Sequence, residues 1–325
     1  MKKQFRILAM VFLSLFVVSC DDDNDNDPQC CVGNSIVDLA SQTESLSTLV
    51  AALQATGLDA ALTGEGPYTV LAPTNDAFDA LLVSLNATSL DDIPVDVLTN
   101  VLLNHVISGE VESSSLTNGY ASTQAISTSS GTNMSIYINT DNGVNFNGVS
   151  NVTAADIAAS NGVVHIVDSV IGLPSVVTFA LADPNFDILV QALTREDLTQ
   201  DFVGLLSTPV GSPSPFTVFA PINSGFVNLL AELGVESLAE IPEETLAAVL
   251  SYHVVAEANQ LSMNLSEGME FTTVQGGNLQ FGFADNGGME LGVLTDNNDR
   301  TSNIVAVDVQ ADNGIIHAID TVVLP

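Results

Sequence analysis

The chain's four histidines fall in two matched pairs, His105 with His253 and His165 with His317. Two imidazoles per set could begin a metal site, but zinc needs a fuller ligand set, and no spacing here defines a third ligand. The competing reading is a neutral core imidazole bonded to backbone, and Val163-Val164 and Ile166-Val167, flanking His165, favour it. Asp168 and Asp320 each follow one of these histidines with two residues between. They offer either an acid–base partner or a structural hydrogen bond, and the second is the expectation. Nucleophilic and metal-hydrolytic chemistry lacks its usual frames, because the sequence contains no GxSxG elbow, no HExxH and no CxxC. The stretch Gly64-Glu-Gly66-Pro-Tyr-Thr lacks the third glycine of a dinucleotide loop.

Two acidic segments invite a calcium reading. Asp23, Asp25 and Asp27 open like a calcium loop, but Pro28 stands where the turn glycine belongs and Asn34 where the bidentate Glu belongs. The loop Asp296-Asn-Asn-Asp299-Arg300 reads as a turn, with weak Ca2+ binding as the alternative; no other cofactor is expected. Cys30 and Cys31 are adjacent, which leaves a vicinal disulfide, a link to another chain and free thiols all open.

The elements that must position these groups are written twice. Tyr68–Val106 aligned with Phe216–Val254, at a constant shift of 148, gives 18 identities in 39 ungapped positions. A second echo, at a shift of 152, pairs Asn161-Gly162-Val-Val-His165-Ile-Val-Asp168 with Asn313-Gly314-Ile-Ile-His317-Ala-Ile-Asp320. A period near 150 residues means tandem domains, not solenoid units. Thr69–Ala72 and Thr217–Ala220 are short β-prone runs stopped by Pro73 and Pro221. Thr74 or Asn75, and Asn223 or Ser224, are placed to cap a helix. Its apolar stripe is Phe78, Leu81, Leu82, Leu85 in one copy and Phe226, Leu229, Leu230, Leu233 in the other. After Ile93-Pro94 and Ile241-Pro242 the helical spacing returns, and His105 and His253 land on its buried stripe. Asp141-Asn-Gly143 and Asp285-Asn-Gly-Gly288 sit between alternating runs as hairpin turns. Helices first and strands afterwards argue for an α+β class in each copy.

Charge bounds the partners. Of 325 residues, 39 are acidic and 5 basic, and Lys2, Lys3 and Arg6 supply three of those five, so from Cys20 onward the net charge is −37. Phosphate backbones and anionic membrane faces would repel such a chain, which excludes nucleic acid as a partner. Self-repulsion at low salt leads to the expectation of saline or divalent-rich surroundings, with cations bridging the surface to its partners. The N-terminal cations precede an apolar run, Ile7–Val18, and residues 1–19 read as a signal peptide. The ending Val17-Val-Ser-Cys20 resembles a bacterial lipobox, which implies lipid on Cys20. Residues 20–33, with five aspartates in Asp21–Asp27, then form an acidic spacer. An acidic run in that place resembles an export signal to the outer face of the outer membrane, so a lipid-anchored, surface-exposed location is expected.

Residues 34–174 and 175–325 resemble the fasciclin domain family. One family hallmark is matched by Thr69-Val-Leu-Ala-Pro73-Thr-Asn75-Asp-Ala-Phe78 and Thr217-Val-Phe-Ala-Pro221-Ile-Asn223-Ser-Gly-Phe226. The other is matched by Asn161–Pro174 and Asn313–Pro325. The resemblance implies two tandem α+β domains, each a wedge of β-sheet with helices along one edge. It also implies adhesion or matrix interaction without catalysis, through protein or polysaccharide partners. A polysaccharide-binding or hydrolytic exoprotein is the rival. A Tyr-His pair linked to partner contact in animal members is matched by Tyr252-His253, whereas Asn104-His105 departs from it.

Overall fold

The computed structural model describes residues 33–285 and 290–325, and residues 33–325 form one compact unit. The expectations for the signal peptide, Cys20, the acidic spacer up to residue 32, Cys30, Cys31 and the tip of the second hairpin lie outside the described residues.

The first repeat begins with three helices, α1 (Ile36–Gln42), α2 (Ser47–Thr56) and α3 (Leu58–Leu62). Strand β1 (Tyr68–Pro73) follows, then α4 (Asn75–Ser84), α5 (Val95–Leu103) and β2 (Val106–Ser108). The remaining strands are β3 (Gly119–Ile126), β4 (Asn133–Asn139), β5 (Asn145–Phe146), β6 (Ser150–Ala159) and β7 (Gly162–Val167). The second repeat has the same plan: α6 (Val176–Ala182), α7 (Asp187–Leu193), α8 (Phe202–Leu206), β8 (Phe216–Pro221), α9 (Asn223–Leu233) and α10 (Glu243–Tyr252). It closes with β9 (Val254–Ala256), β10 (Glu270–Thr272), β11 (Asn278–Asp285), β12 (Glu290–Thr295), β13 (Thr301–Gln310) and β14 (Gly314–Ile319).

The two sheets differ in closure. Strands β1 to β7 make a closed barrel, because β2 meets β3 at Ile107 and Thr123; the other seven run in the order β10-β11-β12-β13-β14-β8-β9. In both repeats the closing strand returns parallel to the first, with Tyr68 beside Gly162 and Phe216 beside Gly314. Each of those glycines is required: a Cβ on Gly162 would lie 1.9 Å from the Tyr68 carbonyl oxygen, and one on Gly314 would lie 2.4 Å from that of Phe216. Gly162 also has φ +147°, a region side chains avoid.

Each repeat has two apolar cores, one under its helices and one within its sheet. Phe78, Leu98 and Leu102 fill the helical core of the first repeat, and Leu71, Ile136 and Phe146 its barrel. Phe226, Leu246 and Leu250 with Phe219, Phe271 and Phe281 do the same in the second. Burying each such side chain contributes roughly 1.5–3 kcal/mol. The expected stripes on α4 and α9 stop one residue early: Leu85 and Leu233 are exposed, because each lies at the helix end, past the contact with the sheet.

The repeats are joined without a spacer. Ser175 caps α6 by accepting from the Thr178 amide, and α6 packs into the second repeat. Tyr137 of β4 belongs to the helical core of the second repeat, with Tyr120 packed against it. Across the same seam the Gln310 amide donates to Ser135 Oγ (3.0 Å), and the Thr128 amide and hydroxyl donate to Asp312.

Candidate functional site

The paired histidines act as backbone clamps of two kinds. His105 follows the end of α5, where its Nδ1–H donates to the Val101 carbonyl (2.8 Å) and its Nε2 accepts from the Ile171 amide (2.9 Å). His253 repeats this with Val249 (2.7 Å) and Val323 (3.2 Å). His165 and His317 carry the opposite tautomer. Their Nδ1 atoms face the amides of Asp156 (3.1 Å) and Asp308 (3.4 Å), and their Nε2–H groups donate to Val111 and Gln260. A ring nitrogen facing an N–H must accept, which fixes the tautomer of each ring. Burial, which disfavours the charged ring, lowers His105 and His253 to about 4 against slight opposition from the bonds to Val101 and Val249. Burial likewise lowers His317.

The hallmark polar residues are structural in the same sense. Asn161 accepts from the Ile36 amide and donates to the Leu62 and Gly64 carbonyls, tying the start of α1 to the end of α3. Asn313 makes the matching bonds to Val176, Leu206 and Thr208. Asn75 and Asn223 do not cap their own helices. Their side chains accept from the amides of Thr48 and Ile188 and donate to the Glu44 and Pro184 carbonyls, so they brace the neighbouring helix. Thr74 caps α4 through the Ala77 amide, whereas Ile222 at the start of α9 supplies no side-chain cap. Asp168 receives the Asn151 amide and side chain (2.8 and 2.9 Å), and Asp320 receives those of Asn303. Burial opposes ionisation of Asp168, but the Asn151 hydrogen bonds outweigh it and hold the carboxyl below its ordinary range. Pro73 and Pro221 close the central strands, and Phe78 and Phe226 are fully buried beneath them.

Tyr252 and His253, the pair matched to a partner-contact motif, lie in the interior. Tyr252 is 0% exposed and His253 3%, and the Tyr252 hydroxyl donates to the Asn278 carbonyl. Asn104, its counterpart, is equally buried and donates to the Gly172 carbonyl while accepting from Thr123. Tyr252, the last residue of α10, packs in the sheet core with Phe219 and Phe271. In the Asp296 loop, the carboxylate accepts from the amides of Asn298, Arg300 and Leu324, and Arg300 in turn reaches Glu232 (2.6 Å). Among the described residues no group of three or more His, Cys, Asp or Glu side chains is placed to hold a metal.

Two further features have no counterpart in the motifs above. Asp156 and Asp308 sit at matched bulges with φ +60° and +59°, and each carboxylate accepts both the amide and the hydroxyl of a serine, Ser113 or Ser262. Extending the 152-residue echo backwards would have found them. The other is a cleft of about 330 Å³ at the seam, lined by Tyr120 and Tyr137 from one repeat and Asp183, Phe186 and Val305 from the other. No repeat signal marks it, because it exists only between the copies.

The profile of the fasciclin domain family matches residues 44–174 and 184–325. The chain is 39% identical to protein sll1483 of Synechocystis sp. over 42% of its own length and 72% of the relative's. It is 26% identical to transforming growth factor-beta-induced protein ig-h3 of Sus scrofa over 81% of its length, though only 35% of that protein. A solved fasciclin domain pair from the insect cell adhesion molecule fasciclin I superposes with a TM-score of 0.51 at 21% identity, covering 86% of this chain and 97% of that one. The chain belongs to the fasciclin domain family, as a tandem pair of α+β domains.

Proposed function

We propose that this protein is a non-enzymatic adhesion or matrix-interaction lipoprotein, tethered by lipid on Cys20 at the outer face of an outer membrane and binding protein or polysaccharide partners. One observation carries the absence of turnover from this reading. All four histidines and both hallmark aspartates hold backbone, so no described imidazole is left to act as a base. Family membership adds the adhesion class, since a matched solved relative is named a cell adhesion molecule. The surface that remains is shape and negative charge, with 39 acidic residues against two cations beyond Cys20.

Beads coated with the full chain test the binding half: they should adhere to extracellular protein or polysaccharide arrays above uncoated beads, and turnover of any arrayed substrate would overturn the reading. Replacing Cys20 with Ser should move the protein from the membrane fraction to the medium. Retention of the variant in the membrane would count against the anchor.

A further inference from the structure

We infer that the cleft between the two repeats is a docking site for a protruding lysine side chain of a protein partner; this rests on the adhesion reading and names the chemistry of its contact. The cleft holds about 330 Å³ and is built from both repeats. That size and position suit a small group inserted at a domain interface.

The cleft carries an unbalanced charge. Asp183 lines the cleft and is only 4% exposed, and its neighbours are all neutral. It accepts from the Tyr120 hydroxyl (3.0 Å) and from the amide and side chain of Asn185 (3.0 and 2.9 Å). Among the described residues none of the ion pairs includes it. These neutral donors bring no positive charge to the carboxylate, so a cation entering the cleft meets an attraction little screened by water. The aromatic walls, Tyr120, Tyr137 and Phe186, are suited to an ammonium on an aliphatic stem. The protein itself, with Arg195 and Arg300 as the only cations beyond residue 6, has almost no such group to offer.

The two copies differ at this place. The place of Asp183, before the short helical turn that follows α6, is taken in the first repeat by Thr43, which makes no side-chain cap. Beside the cleft, Val305 and Val307 on β13 are 53% and 50% exposed and flank an exposed Ala306, where the first repeat has Thr153, Ala154 and Ala155. A carboxylate and an apolar ribbon were thus placed together at the seam and not in the other copy. The ribbon favours a protein's lysine over a free amine, because it needs apolar cover from the same partner.

Calorimetric titration of the full chain with Nα-acetyl-lysine methylamide, against its neutral norleucine counterpart, tests this. The lysine probe should bind one to one and weaken several-fold as NaCl rises from about 0.05 to 0.5 M, and the norleucine probe should bind at least about tenfold less tightly. Asp183→Asn should cost the lysine probe a similar factor. Ala306→Phe, on the exposed rim, should block the cleft and serves even where the first variant fails to fold. Absence of saturable lysine binding, equal binding of both probes, or binding unchanged in a folded variant would overturn the proposal. Adhesion of coated beads that survives any of these results would leave the broader functional reading standing, so the two fail separately.

Discussion

The two repeats agree where a side chain holds backbone and differ where it meets the seam or the solvent. His105 and His253, Asn161 and Asn313, and Asp168 and Asp320 make the same bonds in both copies. By contrast, Asn104 and Tyr252 fill one buried place with different chemistry, and Thr43 and Asp183 occupy one cap with different consequences. The first repeat closes its sheet into a barrel while the second lends its helical core to Tyr137 of its neighbour. Within one chain, then, repetition marks the residues that make the fold, and departures from repetition mark the places where a particular function can sit.

The largest losses are expected at the glycines. Gly162→Ala should destabilise the first repeat by more than about 4 kcal/mol, through a backbone collision and a forbidden φ together. Gly314→Ala meets a slightly longer approach and should cost less. Thermal melts of the two variants compare them directly, and an inverted order would contradict the geometry.

His105→Ala and His253→Ala come next, at about 2–4 kcal/mol each, since each leaves a buried amide and a carbonyl unpaired in a cavity. Near-equal losses in denaturant titrations are expected; a large disparity would mean that the clamps are not equivalent. Acid should reveal the same rings. Both sit at about 4 when folded, below the ordinary value of 6.5, so the folded state binds fewer protons between those limits. Their stabilisation is full above about pH 6.5 and is lost as the pH falls towards 4, at roughly 3 kcal/mol per ring. Denaturant midpoints that stay flat from pH 7 to 4.5 would refute this.

A smaller effect is expected at the seam. Tyr120→Phe removes one hydrogen bond to Asp183 and should cost about 1 kcal/mol. The smallest belongs to Leu85→Ser and Leu233→Ser, within about 0.5 kcal/mol of the parent, because both are exposed. Melts that place Leu85→Ser among the core variants would restore the longer stripe read from the sequence.

Much of this was legible beforehand for a physical reason. The central strands, the stripes through Phe78 and Phe226 and the hairpin at Asp141–Gly143 are local patterns, and the repeat doubled each signal. The bonds of Asn75 were not legible: an Asn after a strand reads as a cap for the next helix, and only tertiary packing turns it towards α2. Tyr252 was matched by resemblance to a partner-contact pair, a likeness that says nothing of burial, and its place in the sheet core beside Phe219 and Phe271 comes from tertiary packing. The Asp183 cleft had no local pattern, because it joins residues more than 60 positions apart.

The polar hallmarks serve architecture, and the buried imidazoles of His105 and His253 report on it. Nitrogen NMR of the full chain near pH 6 should find the His105 and His253 rings neutral and protonated on Nδ1. Either of these two rings titrating near 6.5 with a freely exchanging ring proton would contradict the account.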